Sequence, residues 1–140
     1  MAGIDDPSLP LQAAIVAVLK ASGSSAGARV YDAVPPEQKR LTDTGAAWPY
    51  ISLGNVQVIN EKIECVQGAE VYVTIDAWSR AVGKVELKTL GKKIITALDD
   101  VDLSGSGLSV NSCLLEDVNY IPDPDGLTSH GIFTFHILTN

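Results

Sequence analysis

Apolar residues recur at offsets of three, four and seven through Leu11, Ala14, Ile15, Val18 and Leu19, which predicts a first helix capped by Ser8 and stopped by Ser22-Gly23. Pro10 falls in its first turn, where a missing N–H breaks no intrahelical bond. Arg29-Val30-Tyr31 is a short apolar piece, and the polar stretch from Asp32 to Ala47, with Pro35-Pro36, Lys39-Arg40 and Gly45, reads as a long exposed loop. Connections of that length are usually functional or poorly ordered. Trp48-Pro49-Tyr50-Ile51-Ser52-Leu53 opens a strand whose apolar phase slips from Ile51/Leu53 to Val56/Val58 across Gly54-Asn55, as a bulge requires. Val71, Val73, Ile75 and Ala77 alternate with Tyr72, Thr74, Asp76 and Trp78, the clearest strand of the chain, with one face in the core. The segment from Asn60 to Ala69 between these strands reads as a hairpin whose tip extends beyond the sheet.

From about Gly83 a second helix places Leu87, Leu90, Gly91, Ile94, Leu98 and Val101 on one face and Lys84, Lys88 and Lys92 elsewhere. Ser104-Gly105-Ser106-Gly107 breaks the chain before a strand from Leu108 to Tyr120. Pro122-Asp123-Pro124-Asp125-Gly126 then turns it into a last strand from Thr128 to Leu138, with Phe133, Phe135 and Ile137 on one face. The order helix, strand, strand, strand, helix, strand, strand predicts an α+β domain, a mainly antiparallel sheet covered by two helices. At 140 residues, 46% apolar and 19% charged, residues 1–140 form one folded domain.

Ten basic against seventeen acidic residues leave a net charge of −7, and no basic run exceeds the pairs Lys39-Arg40 and Lys92-Lys93. Binding to nucleic acid by phosphate neutralisation needs a clustered cationic face and is disfavoured. Cys65 and Cys113 stand apart without zinc-site spacing and read as free thiols of a reducing cytoplasm. Neither a signal peptide nor a membrane span is expected.

Candidate chemistry is sparse. His130 and His136 share one parity on the last strand, and a solvent-facing or interface role outweighs a catalytic one. Gly105-Ser106-Gly107 lacks the Lys-Ser/Thr of a phosphate loop, and Asp123 and Asp125 lack the later ligands of a calcium loop. Asp99, Asp100 and Asp102 form an acidic corner at a helix end, either solvated or facing a basic neighbour. Trp48 and Trp78 read as core or sheet-face aromatics rather than binding anchors. No catalytic residue, metal or cofactor is expected.

Several phrases taken together in order resemble a known family. They are Leu11-Gln12-Ala13-Ala14, Arg29-Val30-Tyr31-Asp32-Ala33-Val34-Pro35, Trp48-Pro49-Tyr50-Ile51-Ser52-Leu53-Gly54, Val73-Thr74-Ile75-Asp76-Ala77-Trp78-Ser79-Arg80, and Asp123-Pro124-Asp125-Gly126 with His130-Gly131. Nearly end to end, the chain resembles the tail-completion proteins of siphoviruses, prophages and gene transfer agents, related to tail terminators and head-tail joining proteins. One departure is the stretch Glu37 to Ala47, longer than the compact loop of that family.

The resemblance implies a structural virion protein, made in the bacterial cytoplasm and placed in the neck. It implies a hexameric ring of identical copies that caps the tail tube, ends its polymerisation and meets the head connector, with DNA passing through the lumen unbound. It names as partners a tail tube protein and a connector or stopper, and no membrane. Candidate contact residues are Glu61, Lys62, Glu64 and Gln67 on the hairpin and Lys39 and Arg40 in the long loop. A neck adaptor or stopper on the portal side is the alternative role, and a small-molecule-binding module or hydrolase the alternative class.

Overall fold

The computed structural model describes residues 6–63, 66–105 and 107–140, with side chains described outside 60–67. Its elements are α1 (Ser8–Lys20), β1 (Val30–Tyr31), α2 (Glu37–Thr44), β2 (Tyr50–Ile63), β3 (Val66–Ser79), α3 (Val85–Leu98), β4 (Val110–Pro122) and β5 (Ser129–Thr139). The strands form one sheet in the order β1-β2-β3-β5-β4. β1 pairs parallel with β2 over two residues, and every other neighbour is antiparallel.

The two-residue period of β3 and β5 drives Val71, Val73, Ile75 and Ala77 together with Phe133, Phe135 and Ile137 onto one face, where all are buried. Helices α1 and α3 cover that face. Leu11, Ile15 and Leu19 of α1 and Leu87, Leu90, Ile94 and Leu98 of α3 are likewise buried. Each of these large side chains contributes roughly 2 kcal/mol by leaving water, so both helices add substantially to the core. The expected bulge lies between Leu53 and Val56. Gly54 is required there: a Cβ would stand 2.6 Å from Asp76 Oδ2 and 3.1 Å from the Thr74 carbonyl oxygen.

Three local expectations need correction. The stretch 32–47 is not one exposed loop but contains α2, entered from Pro36, carrying Glu37 in its first turn and closed by Gly45 at φ 84°. Its buried residue is Arg40, so the side chain that fixes this helix is polar and leaves no apolar period. Ser8 is the first helical residue of α1 rather than its cap; its N–H donates to Asp6 Oδ1 at 2.8 Å. Val101 lies beyond α3, which ends at Leu98 because Asp99 adopts extended backbone angles.

Candidate assembly interface

With both large helices on one face, the other face of the sheet carries the alternate residues of β3 and β5, all half-buried. Two histidine clusters stand there. Trp78 and His130 face each other across the β3–β5 ladder and stack at 3.8 Å with 9° between planes. His130 Nε2 lies 2.7 Å from Asp76 Oδ1, and Trp78 Nε1–H donates to Ser52 Oγ at 3.0 Å. Tyr72 and His136 repeat the stack at 4.7 Å. His136 Nε2 is 3.3 Å from Glu70 Oε2 but out of line for a hydrogen bond. Both histidines thus pack flat on aromatic rings beside carboxylates. Cys113 is buried on the core side, where burial, reinforced by the charge of Asp99, pushes its thiol up to about 11. Among the described residues, no three His, Cys, Asp or Glu side chains are grouped to hold a metal ion.

A further aromatic cluster closes the end of the sheet where β2 begins. Trp48 packs against Tyr50 at 5.0 Å, and Tyr50 against Trp78 at 6.2 Å. Arg40 lies over Tyr50 (4.3 Å) and Trp48 (5.0 Å), and Arg80 over Trp48 (4.6 Å). Burial pushes the Tyr50 hydroxyl above its ordinary range, with Arg40 and Arg80 opposing the shift.

Arg40 was expected as an exposed contact, but only 5% of its surface is open. Its Nε donates to the Ala47 carbonyl at 3.0 Å and its Nη1 to that of Pro35 at 2.8 Å, so it ties both ends of the α2 segment together. Arg29, also buried, donates to the Pro49 carbonyl at 2.7 Å, the Ser25 carbonyl at 2.8 Å and Thr44 Oγ1 at 3.2 Å, tying the segment before β1 to the end of α2 and the start of β2. Lys39 points outward and pairs with Asp43 at 2.9 Å.

Glu61, Lys62 and Gln67 lie on the hairpin beyond β5: Glu61 pairs with Gly68 and Lys62 with Gln67, whereas β5 stops opposite Ala69. Glu64 and Cys65 lie outside the described residues. The two expected contact regions are therefore at opposite ends of β2, about 40 Å apart at a strand's rise per residue.

The remaining feature is the pair of sheet edges. Beyond Ser52, β2 has no outer neighbour among the described residues, and Val56 and Ile59 are exposed there. On the opposite edge, the Asp100 N–H donates to the Cys113 carbonyl at 2.7 Å and the Asp99 carboxylate accepts the Leu115 N–H at 2.9 Å. This connector covers β4 at Cys113–Leu115, and no backbone bond among the described residues covers the outer edge from there to Ile121. Asp102 accepts the Ser104 N–H, and that bond holds its carboxyl below the usual range. The acidic corner is thus bonded to the chain's own backbone; the Asp102 bond is local, but those of Asp99 and Asp100 are invisible in sequence because Leu115 and Cys113 lie more than ten residues away.

The comparisons with known proteins agree with this architecture. The family model described as tail completion protein gp17 matches residues 13–140. A chain from the solved structure titled "Virion of native gene transfer agent (GTA) particle" superposes with a TM-score of 0.79 and 25% identity, over 92% of this chain and 93% of that one. Comparison with curated proteins gives no match. The chain therefore belongs to the tail completion protein gp17 family, the structural assembly proteins of phage-like tails.

Proposed function

We propose that copies of this protein close into a ring of six at the neck of a phage-like particle, cap the tail tube, stop its growth and join it to the head connector. The observation that carries the reading is the pair of open edges on one sheet. β2 and β4 run in opposite directions, because three antiparallel pairings separate them. Laying β4 of one copy beside β2 of the next continues the antiparallel pattern across the boundary, a heterologous contact that closes by rotation. The hairpin at one end of β2 and Lys39 at the other are the contacts along the ring axis, toward tube and connector. Arg40 supports the second of these from beneath. A chain of net charge −7, with no Lys or Arg among the described open-face residues of β3 and β5, lets DNA pass rather than holding it.

Light scattering on the purified protein, alone and mixed with the tail tube protein of the same particle, tests this. A mass about six times 14.8 kDa in either sample is expected. A monomer in both, with no association, would remove the ring and the cap together, and preference for the portal side over the tube would make the protein a stopper.

A further inference from the structure

Helix α3 and its N-cap concentrate positive charge on an acidic chain: Lys84, Lys88, Lys92 and Lys93 are four of its ten basic residues. Three of them recur every fourth residue and form a stripe, one turn or about 6 Å between neighbours. Among the described residues none of the four has a carboxylate partner; Lys88 Nζ lies 5.7 Å from the centre of the Tyr120 ring. Glu86, the helix's one acid, is engaged by the Ser79 hydroxyl at 2.7 Å. The stripe starts at an apolar end. Val82, Val85 and Leu127 are 102%, 79% and 68% exposed, and a cavity of about 360 Å³ lined by Val82, Lys84 and Leu127 opens beside them. Large apolar side chains gathered around a cavity are the usual form of a docking anchor.

We propose that this surface docks a segment of a different protein of the particle, with an apolar side chain seated beside Val82 and Leu127 and carboxylates along Lys84, Lys88 and Lys92. Charge complementarity selects the acidic partner. The exposed Asp99 and Asp100, which follow α3 directly, oppose a phosphate backbone continuing along the stripe, while Asp125 at the cavity end is already paired with Arg80 at 3.6 Å. The cationic run is therefore short and suits a short carboxylate-bearing segment. A second copy fits poorly, since α3 packs on β3, β5 and β4 and edge-to-edge pairing leaves its outer face uncovered. The inference rests on the assembly reading above.

The test uses the full chain with Lys84→Glu, Lys88→Glu and Lys92→Glu, beside the same three positions changed to arginine. Association with the tube protein and with the connector protein is measured separately at low and high salt. The glutamate variant should keep the parent's solution mass and thermal midpoint yet bind one of the two proteins about tenfold or more weakly, while the arginine variant binds as the parent does. Parent binding should fall as salt rises. Should the glutamate variant lose its thermal transition, Lys88→Gln with Lys92→Gln decides by the same criteria. Unchanged binding overturns the docking site. So does a drop in solution mass, which would make the surface a contact between copies, or a duplex DNA fragment whose binding alone is lost. A parent that binds neither protein overturns the assembly reading itself.

Discussion

Gly91 sits on the apolar face of α3 by sequence, but the structure supplies its reason. A Cβ there would collide with the Tyr120 hydroxyl and stand 2.8 Å from Phe133 Cζ. Alanine in a helix interior normally gains about 1 kcal/mol over glycine, whereas overpacking a filled site costs typically 1–3 kcal/mol. Gly91→Ala should therefore destabilise the protein by a net of about 1 kcal/mol, read as a lower urea midpoint at unchanged slope; a midpoint that stays or rises would mean that α3 can lift from the sheet. Arg40 shows the opposite limit of sequence reading. A basic pair in a polar run is ordinarily solvated, and nothing local distinguishes a guanidinium that turns inward to bond Pro35 and Ala47 carbonyls and cover two aromatic rings. Lys39 beside it, with the same local signature, is exposed.

Elements with a strong period were legible and the weakly patterned one was not. The alternation of β3, the slipped phase of β2 and the apolar face of α3 all translate directly into structure, because burial enforces the period. Helix α2 has eight residues, and its single large apolar one, Leu41, is exposed, so neither length nor periodicity announced it. The turn between β4 and β5 was legible from Asp123-Pro124-Asp125-Gly126, and its mechanism can be tested by pH. The Asp125 carboxylate accepts the Thr128 hydroxyl at 2.6 Å and the Leu127 and Thr128 N–H groups at 2.8 Å each. Those bonds, led by the hydroxyl, hold its carboxyl below the usual range, with the charge of Arg80 adding a little. A lowered folded value means that the ionised form favours the native turn: its contribution is complete above the ordinary carboxylate range and is lost as pH falls through the folded value. The Leu127 and Thr128 amide resonances should accordingly titrate with a midpoint below about 3.9, and Asp125→Asn should abolish the transition. A midpoint at or above that ordinary value would show that the bonds do not hold in solution.

For the whole molecule, the two-layer α+β class could be read from the order of elements and the β4–β5 hairpin from its turn, but the full strand order could not, since pairing of β3 with β5 joins residues far apart in the chain, from Ser79 with Ser129 to Ala69 with Thr139. Local sequence marks the hairpin and the long connection as candidate contacts, whereas the open edges emerge only with the sheet. If those edges join neighbouring copies, Val56→Lys with Ile121→Lys should shift the assembled species toward monomer. Both sites are exposed, at 41% and 42%, so thermal stability should change by no more than about 0.5 kcal/mol per site. Rings that persist in the double variant would place the contact between copies elsewhere. The position of β5 has a further consequence for synthesis. It is the last of the five strands in chain order and lies between β3 and β4, and it supplies Phe133, Phe135 and Ile137 to the core. If the β4 edge joins a neighbouring copy, that edge does not exist until β5 emerges from the ribosome, since β5 is the strand that β4 lies against. Assembly competence would then arrive only after the other four strands have been made, which would keep nascent or prematurely ended chains from entering a growing particle and spoiling it.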